Sequence, residues 1–382
     1  MTEVRPDAPA AAAPARRSRP VRRASTRRTR SLRRRVGAFA ALAIGALAIV
    51  AVTLGTLKKL PFHLSTTATN TPVTLTPRTA KRRTTTRPGV TTSTLASLRS
   101  AVSSPAALPF GAHGALLFGG LDSASTPIAT VQSFDGSSTK AVATLPEPIS
   151  AAGAAQLAGV RYLFGGSASS GPSSSIESVT DDGTSVTTIG SLPQPTSGAA
   201  VAAVGDSAYV IGGYDGSADL DSIVSFTAQA GAASTATLPQ PLANAAAVAL
   251  DGDIYVIGGA NLNRTLFAIY RFDPASKTVR KIGTLPVALT HAAATSLDGK
   301  IYVVGGERSV GANLTNTIYA IDPSSGRATL VGALPAKLAG AVAIHTSEGI
   351  LLAGGVGPGG QASSQIYRIE PRVVTASRRR HG

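Results

Sequence analysis

Beyond residue 105 the chain repeats one rhythm. A short apolar run meets a two-residue turn, then a second apolar run ends on two glycines. A polar loop, a third run, another turn and a fourth run follow. The stretch AVALDGDIYVIGGA (247–260) holds the first half of one such unit. Short runs with period-two alternation, bounded by Gly, Asp and Pro, predict strands. Gly-Gly pairs begin at Gly119, Gly165, Gly212, Gly258, Gly305 and Gly354, in steps of 46, 47, 46, 47 and 49 residues. Leu-Pro falls at Leu108, Leu145, Leu192, Leu238, Leu285 and Leu334. Each unit therefore predicts four antiparallel strands. One such sheet cannot cover both its faces, but six arranged about an axis can. The period predicts an all-β, six-bladed propeller over 106–371.

These markers resemble the Kelch motif: paired glycines ending the second strand, an aromatic just upstream, and Leu-Pro after the fourth strand. The aromatic is Tyr162, Tyr209, Tyr255 and Tyr302, but Leu351 in the last unit. The Trp usual in the family's fourth strand is replaced by smaller residues, for example Val186, Val279 and Ala328. The resemblance implies a Kelch-type propeller packed by small side chains. Closing the ring needs a fourth strand for the last unit. Either 372–376 or an N-terminal segment around 92–107 supplies it.

The N-terminal part breaks the rhythm. Residues 36–57 are 22 in number and carry no charge. As a helix they span about 33 Å, enough for a hydrocarbon core of about 30 Å. Their length, and a leader of 35 residues, argue for a membrane anchor over a cleaved signal peptide. Residues 1–35 hold twelve Arg against Glu3 and Asp7. That predicts a disordered, cytoplasmic N-terminus beside anionic lipid, with the bulk of the chain outside the membrane. Residues 58–105, rich in Thr, Ser and Pro, read as a flexible basic linker. Residues 372–382 form a basic tail. Ala/Arg-rich usage suggests a bacterial envelope protein.

The formal net charge of +16 first suggests a nucleic-acid partner, and its distribution removes that reading. Residues 106–371 hold twelve basic and eighteen acidic residues, net −6, with no basic stripe for a phosphate backbone. The chain has no Cys, which excludes disulfides, thiolate metal sites and a Cys nucleophile. Five His show no ligand spacing, so no metal or other cofactor is expected.

Candidate chemistry lies in unrepeated residues. Six positions after each Leu of Leu-Pro stand Gly114, Ala151, Gly198, Asn244, His291 and Gly340, near a channel mouth. Only Asn244 and His291 among them offer a polar side chain. Variable loops follow each Gly-Gly and share their face with the Leu-Pro connections; binding is usual on such loops. They add Arg264, Glu307 and Arg308. The expected ligand site is Asn244, Arg264, His291, Glu307 and Arg308, taking a protein, peptide or glycan without catalysis. The Kelch resemblance also brings the family's enzymes into view. Copper chemistry of the galactose-oxidase type needs a Cys that is absent. A sialic-acid-mutarotase-like reaction needs only an acid and a base, which Glu307 and His291 could supply. An envelope sensor is a further alternative.

Overall fold

The computed structural model describes residues 84–377 except Asn263. The segments 1–83 and 378–382 therefore lie outside the description, and with them the anchor expected at 36–57. Among the described residues no helix is long and apolar enough to cross a membrane.

Six four-stranded antiparallel sheets account for the fold. In blade 4 the strands are Ala246–Leu250, Asp253–Ile257, Ala268–Asp273 and Thr278–Thr284, in order from the axis outward. Blades 1, 2, 3 and 5 repeat this order, with inner strands Ala106–Phe110, Gly153–Leu157, Ala200–Val204 and Ala293–Leu297. The inner strands touch one another in a closed ring, which the inner strand of blade 6, Ala339–Thr346, completes against blade 1.

The local sequence explains the blade. Leu250 pairs with Asp253, so Asp251 and Gly252 are the whole turn, at φ of 53° and 84°. That is the type I′ geometry which matches strand twist. Gly258, at φ 64°, and Gly259, at φ 92°, then lead the chain out of the sheet. A Cβ on Gly258 would overlap the carbonyl oxygen of Leu289, and Gly259 N–H donates to that same oxygen at 2.9 Å. The glycine pair thus grips the connection to the following blade. Third and outer strands shift register by a bulge at the same place in all six blades, opposite Ile269/Tyr270 in blade 4.

The core is divided into six clusters, one per seam between blades. In the seam of blades 3 and 4, Ile223, Leu242, Ile254 and Phe272 are wholly buried, and Tyr209 meets Phe272 edge to face at 5.4 Å. Burying each such side chain contributes about 1.5–3 kcal/mol. Adjacent blades therefore stabilise each other through large apolar faces without the missing Trp.

The N-terminal side closes the ring. Thr84–Ser97 is the outer strand of blade 6 and pairs along Gln365–Ser377. Residues 372–376 continue that third strand and do not supply a fourth. The propeller takes in 84–105, so it starts well before residue 106. Leu98 shows why. It lies 47 residues before Leu145, and its N–H donates to Ser364 O as that of Leu145 donates to Ala129 O. Leu108, 37 residues before Leu145, belongs to an inner strand and is out of phase.

Candidate functional site

The Gly-Gly loops and the Leu-Pro connections share one face, joined by bonds such as Gly120 N–H to Ile149 O at 2.8 Å. At its centre stand Ser104, Ala151, Gly198, Asn244, His291 and Gly340, all with positive φ. Each of their N–H groups donates to the carbonyl of the one before, at 2.7–3.0 Å, and Ser104 to Gly340 closes the circle. This ring surrounds a cavity of about 120 Å³, floored by small residues such as Ala152, Ala245 and Ala292. Ser104, and not Gly114, is the sixth member. Gly114 begins the second strand of blade 1, because the Leu-Pro at 108 was out of phase.

The ring consumes the backbone donors at the mouth, so recognition there falls to side chains. Ser104, Asn244 and His291 are the polar ones. Asn244 lies across the rim: a Cβ on Gly198 would overlap its Oδ1. His291 Nδ1 is 2.7 Å from Glu307 Oε1. The inner ladder of blade 5 positions this pair, since Thr290 and Glu307 exchange backbone bonds of 3.0 and 2.9 Å just past Gly305-Gly306. The Glu307 side chain is 9% exposed and that of His291 28%. A carboxylate accepts from Nδ1–H, so Nε2 is the nitrogen left for a ligand. Thr290, fully buried, adds a bond from its Oγ1 to Asn244 O at 3.2 Å. It stands between buried Leu289 and His291, and nothing in the sequence marked it as part of the site.

Of the five expected site residues, three meet here: Asn244, His291 and Glu307. Arg264 and Arg308 do not line the mouth. Arg264 lies in the small hairpin Ala260–Asn261/Arg264–Thr265 and lines a separate groove with Gln240, Asn261 and Leu262. Arg308 is exposed in the hairpin Glu307–Ser309/Ala312–Leu314. Asp219 ties the first hairpin to blade 3 by accepting Leu262 N–H at 2.5 Å. Exposed Tyr214, Leu262 and Val310 stand in the loops of blades 3, 4 and 5. No three His, Asp or Glu side chains converge as a metal site among the described residues.

The Kelch motif model matches residues 195–226, 241–286 and 288–327, that is, blades 3, 4 and 5. The structure is a six-bladed, Kelch-type propeller, and the matched blades are those that carry Asn244, His291 and Glu307. A solved structure described as "Structure of YjhT" is similar over 73% of this chain and 100% of that one, with a TM-score of 0.63 and 17% identity. At that identity the likeness concerns the fold. No curated protein matches the chain.

Proposed function

We propose that the protein is a single-pass, outward-facing Kelch propeller that binds a protein, peptide or glycan on its loop face without catalysis. The observation that carries this is an asymmetry. Polar groups repeated in every blade are consumed by turns and by the ring, whereas the unrepeated ones, Asn244, His291 and Glu307, gather on blades 4 and 5. Exposed Tyr214, Leu262 and Val310 on blades 3 to 5 extend that half of the face, and apolar side chains on rigid loops suit a macromolecular partner. Arrayed glycans and peptides offered to the full chain test this reading. Binding that falls in His291→Ala and Arg308→Ala supports it, and binding unchanged in both variants removes the site.

Anchoring rests on the uncharged 36–57 segment and its Arg-rich leader. Protease treatment of intact cells should release the propeller; protection of 106–371 would reverse the topology. A second reading is favoured by the His291–Glu307 pair itself. An imidazole held by a buried carboxylate is equipped for proton transfer, and a sugar that interconverts anomers needs little more. Faster anomer exchange by NMR with the protein, lost in His291→Ala, would select the enzyme over the binding module.

A further inference from the structure

Charge is unevenly shared around the ring. Residues 106–245, in blades 1 to 3, hold two basic and ten acidic side chains, whereas 246–371, in blades 4 to 6, hold ten and eight. On the basic side, Arg87, Lys300 and Arg327 line one groove of about 660 Å³ between the outer side of blade 5 and the closing strand of blade 6. Among the described residues no ion pair includes any of the three. Blade 4 shows what is missing. There Asp253, which begins the second strand, holds Arg271 at 2.7 Å. The same two places in blade 5 are Lys300 and Ala320, since Tyr302 faces Ala320 as Tyr255 faces Arg271. Blade 5 thus puts a cation where the acid stood and drops its partner. Asp322 is the acid that lines the groove. Its Oδ1 already accepts from the N–H groups of Ser324 and Ser325, at 3.1 and 3.0 Å, and from their hydroxyls, at 2.6 and 3.0 Å. The groove keeps a surplus of positive charge, with exposed Leu330 as an apolar wall.

The groove exists because blade 6 is longer than the others. Its outer and third strands, Thr84–Ser97 and Gln365–Ser377, have 14 and 13 residues, where the other blades have six or seven and five or six. Val90 packs on Gly332 of blade 5. From there the two-stranded ribbon runs on to Thr84, opposite Ser377. It leaves the propeller on the side of the Asp-Gly turns, away from the loop face, because a third strand runs from the loops towards the turns. Both ends of the folded part therefore depart from this ribbon. In the sequence Lys81-Arg82-Arg83 leads into it and Arg378-Arg379-Arg380 follows it, and only 26 residues, 58–83, separate it from the uncharged segment.

We propose that this groove seats phosphate groups of an anionic lipid surface, so that the propeller lies on the membrane with its turn side down and its loop face outward. This rests on the reading of 36–57 as an anchor. Each guanidinium forks onto phosphate oxygens, and Lys300 adds a point charge. Anionic lipid favours each such cation about fivefold, and a short tether keeps the surface at high effective concentration beside the ribbon. The same surface repels the acidic blades 1 to 3, which turns the molecule onto its basic side. Asn244, His291 and Glu307 are then held facing away from the lipid, open to a partner outside.

The full chain in lipid vesicles tests this. It has no Cys, so Ser324→Cys, in the exposed turn beside the groove, and Leu262→Cys, exposed on the loop face, can each carry a single dye. Energy transfer to a headgroup-labelled lipid then reports which face lies down. In phosphatidylcholine mixed with phosphatidylglycerol, transfer from position 324 should exceed transfer from position 262, and salt should shrink the difference. Pure phosphatidylcholine should abolish it. Arg87→Gln, Lys300→Gln and Arg327→Gln together should lower the ratio of docked to free propeller about a hundredfold. Equal transfer from both positions in anionic vesicles overturns the proposal, as does a difference that survives the triple variant or is as large on pure phosphatidylcholine. Should the triple variant fail to fold, Arg87→Gln alone, at an exposed position, should still cost about fivefold, and no loss there overturns the proposal. Retention by pure phosphatidylcholine vesicles reads the anchor separately. Release would remove that reading, and the two dyes on anionic vesicles would still decide the docking.

Discussion

Arg161 occupies a place that Ala115, Ala208, Ile254, Ile301 and Ile350 fill in the other blades, all of them wholly buried. Its side chain is 9% exposed and its Nε has no partner, while Asp181 opposite is 87% exposed. A buried cation half-satisfied by a solvated acid is a poor exchange for an aliphatic residue. Arg161→Ile should therefore raise stability by about 1 kcal/mol in denaturant titration, and a loss would show that the guanidinium holds blade 2 together. At the mouth, Glu307→Ala should erase the hydrogen-bonded Nδ1 proton of His291 from the NMR spectrum, and Glu307→Gln, which keeps an acceptor, should retain it. Asn244 and His291 were legible because they interrupt a series of Gly and Ala. Glu307 was legible as a loop residue, and its bond to His291 was not, since that depends on a ladder continuing past the glycines. Arg161 and Thr290 gave no signal, because burial against a neighbouring blade leaves no mark on the local pattern.

Strands and turns follow more directly from sequence. Period-two runs, Asp-Gly turns and Gly-Gly stops fix all but the closing strand, because each is a local backbone requirement repeated six times. Gly258→Ala would force an L residue to φ 64° against the Leu289 carbonyl. It should cost at least about 1–2 kcal/mol from the dihedral alone, read as a lower denaturation midpoint. The turns between third and outer strands share another device. Hydroxyls of Thr180 and Ser324 lead the contacts that hold Asp182 and Asp322 down to about 2. A carboxylate lowered in this way stabilises the fold above its ordinary 3.8 and ceases to do so as pH falls toward 2. Asp322→Ala should make the acid limb of a thermal-stability profile shallower; an unchanged limb would assign acid unfolding to other groups.

At the scale of the whole molecule, the ring was legible and its seam was only half so. Sequence offered two strands to close blade 6, and the choice lay in a spacing: 37 residues from Leu108 to Leu145 where 47 was due, against 47 from Leu98. Removing Thr84–Ser97 should strip blade 6 of its outer strand, uncover Val90's partners in blade 5, and broaden thermal unfolding beyond a single transition. The seam also sets the order of events in time. Thr91 and Glu370 touch across 279 residues, and closing so long a loop costs about 5 kcal/mol of chain entropy. The first propeller strand to leave the ribosome is the last to find its partner, so it waits unpaired through the synthesis of five blades, and contacts so distant make for slow folding. A circular permutant that joins Ser377 to Thr84, which already lie opposite each other, and opens the chain between blades 6 and 1 would turn this strand into a local hairpin. It should refold faster than the natural chain at similar stability, and equal rates would place the slow step elsewhere.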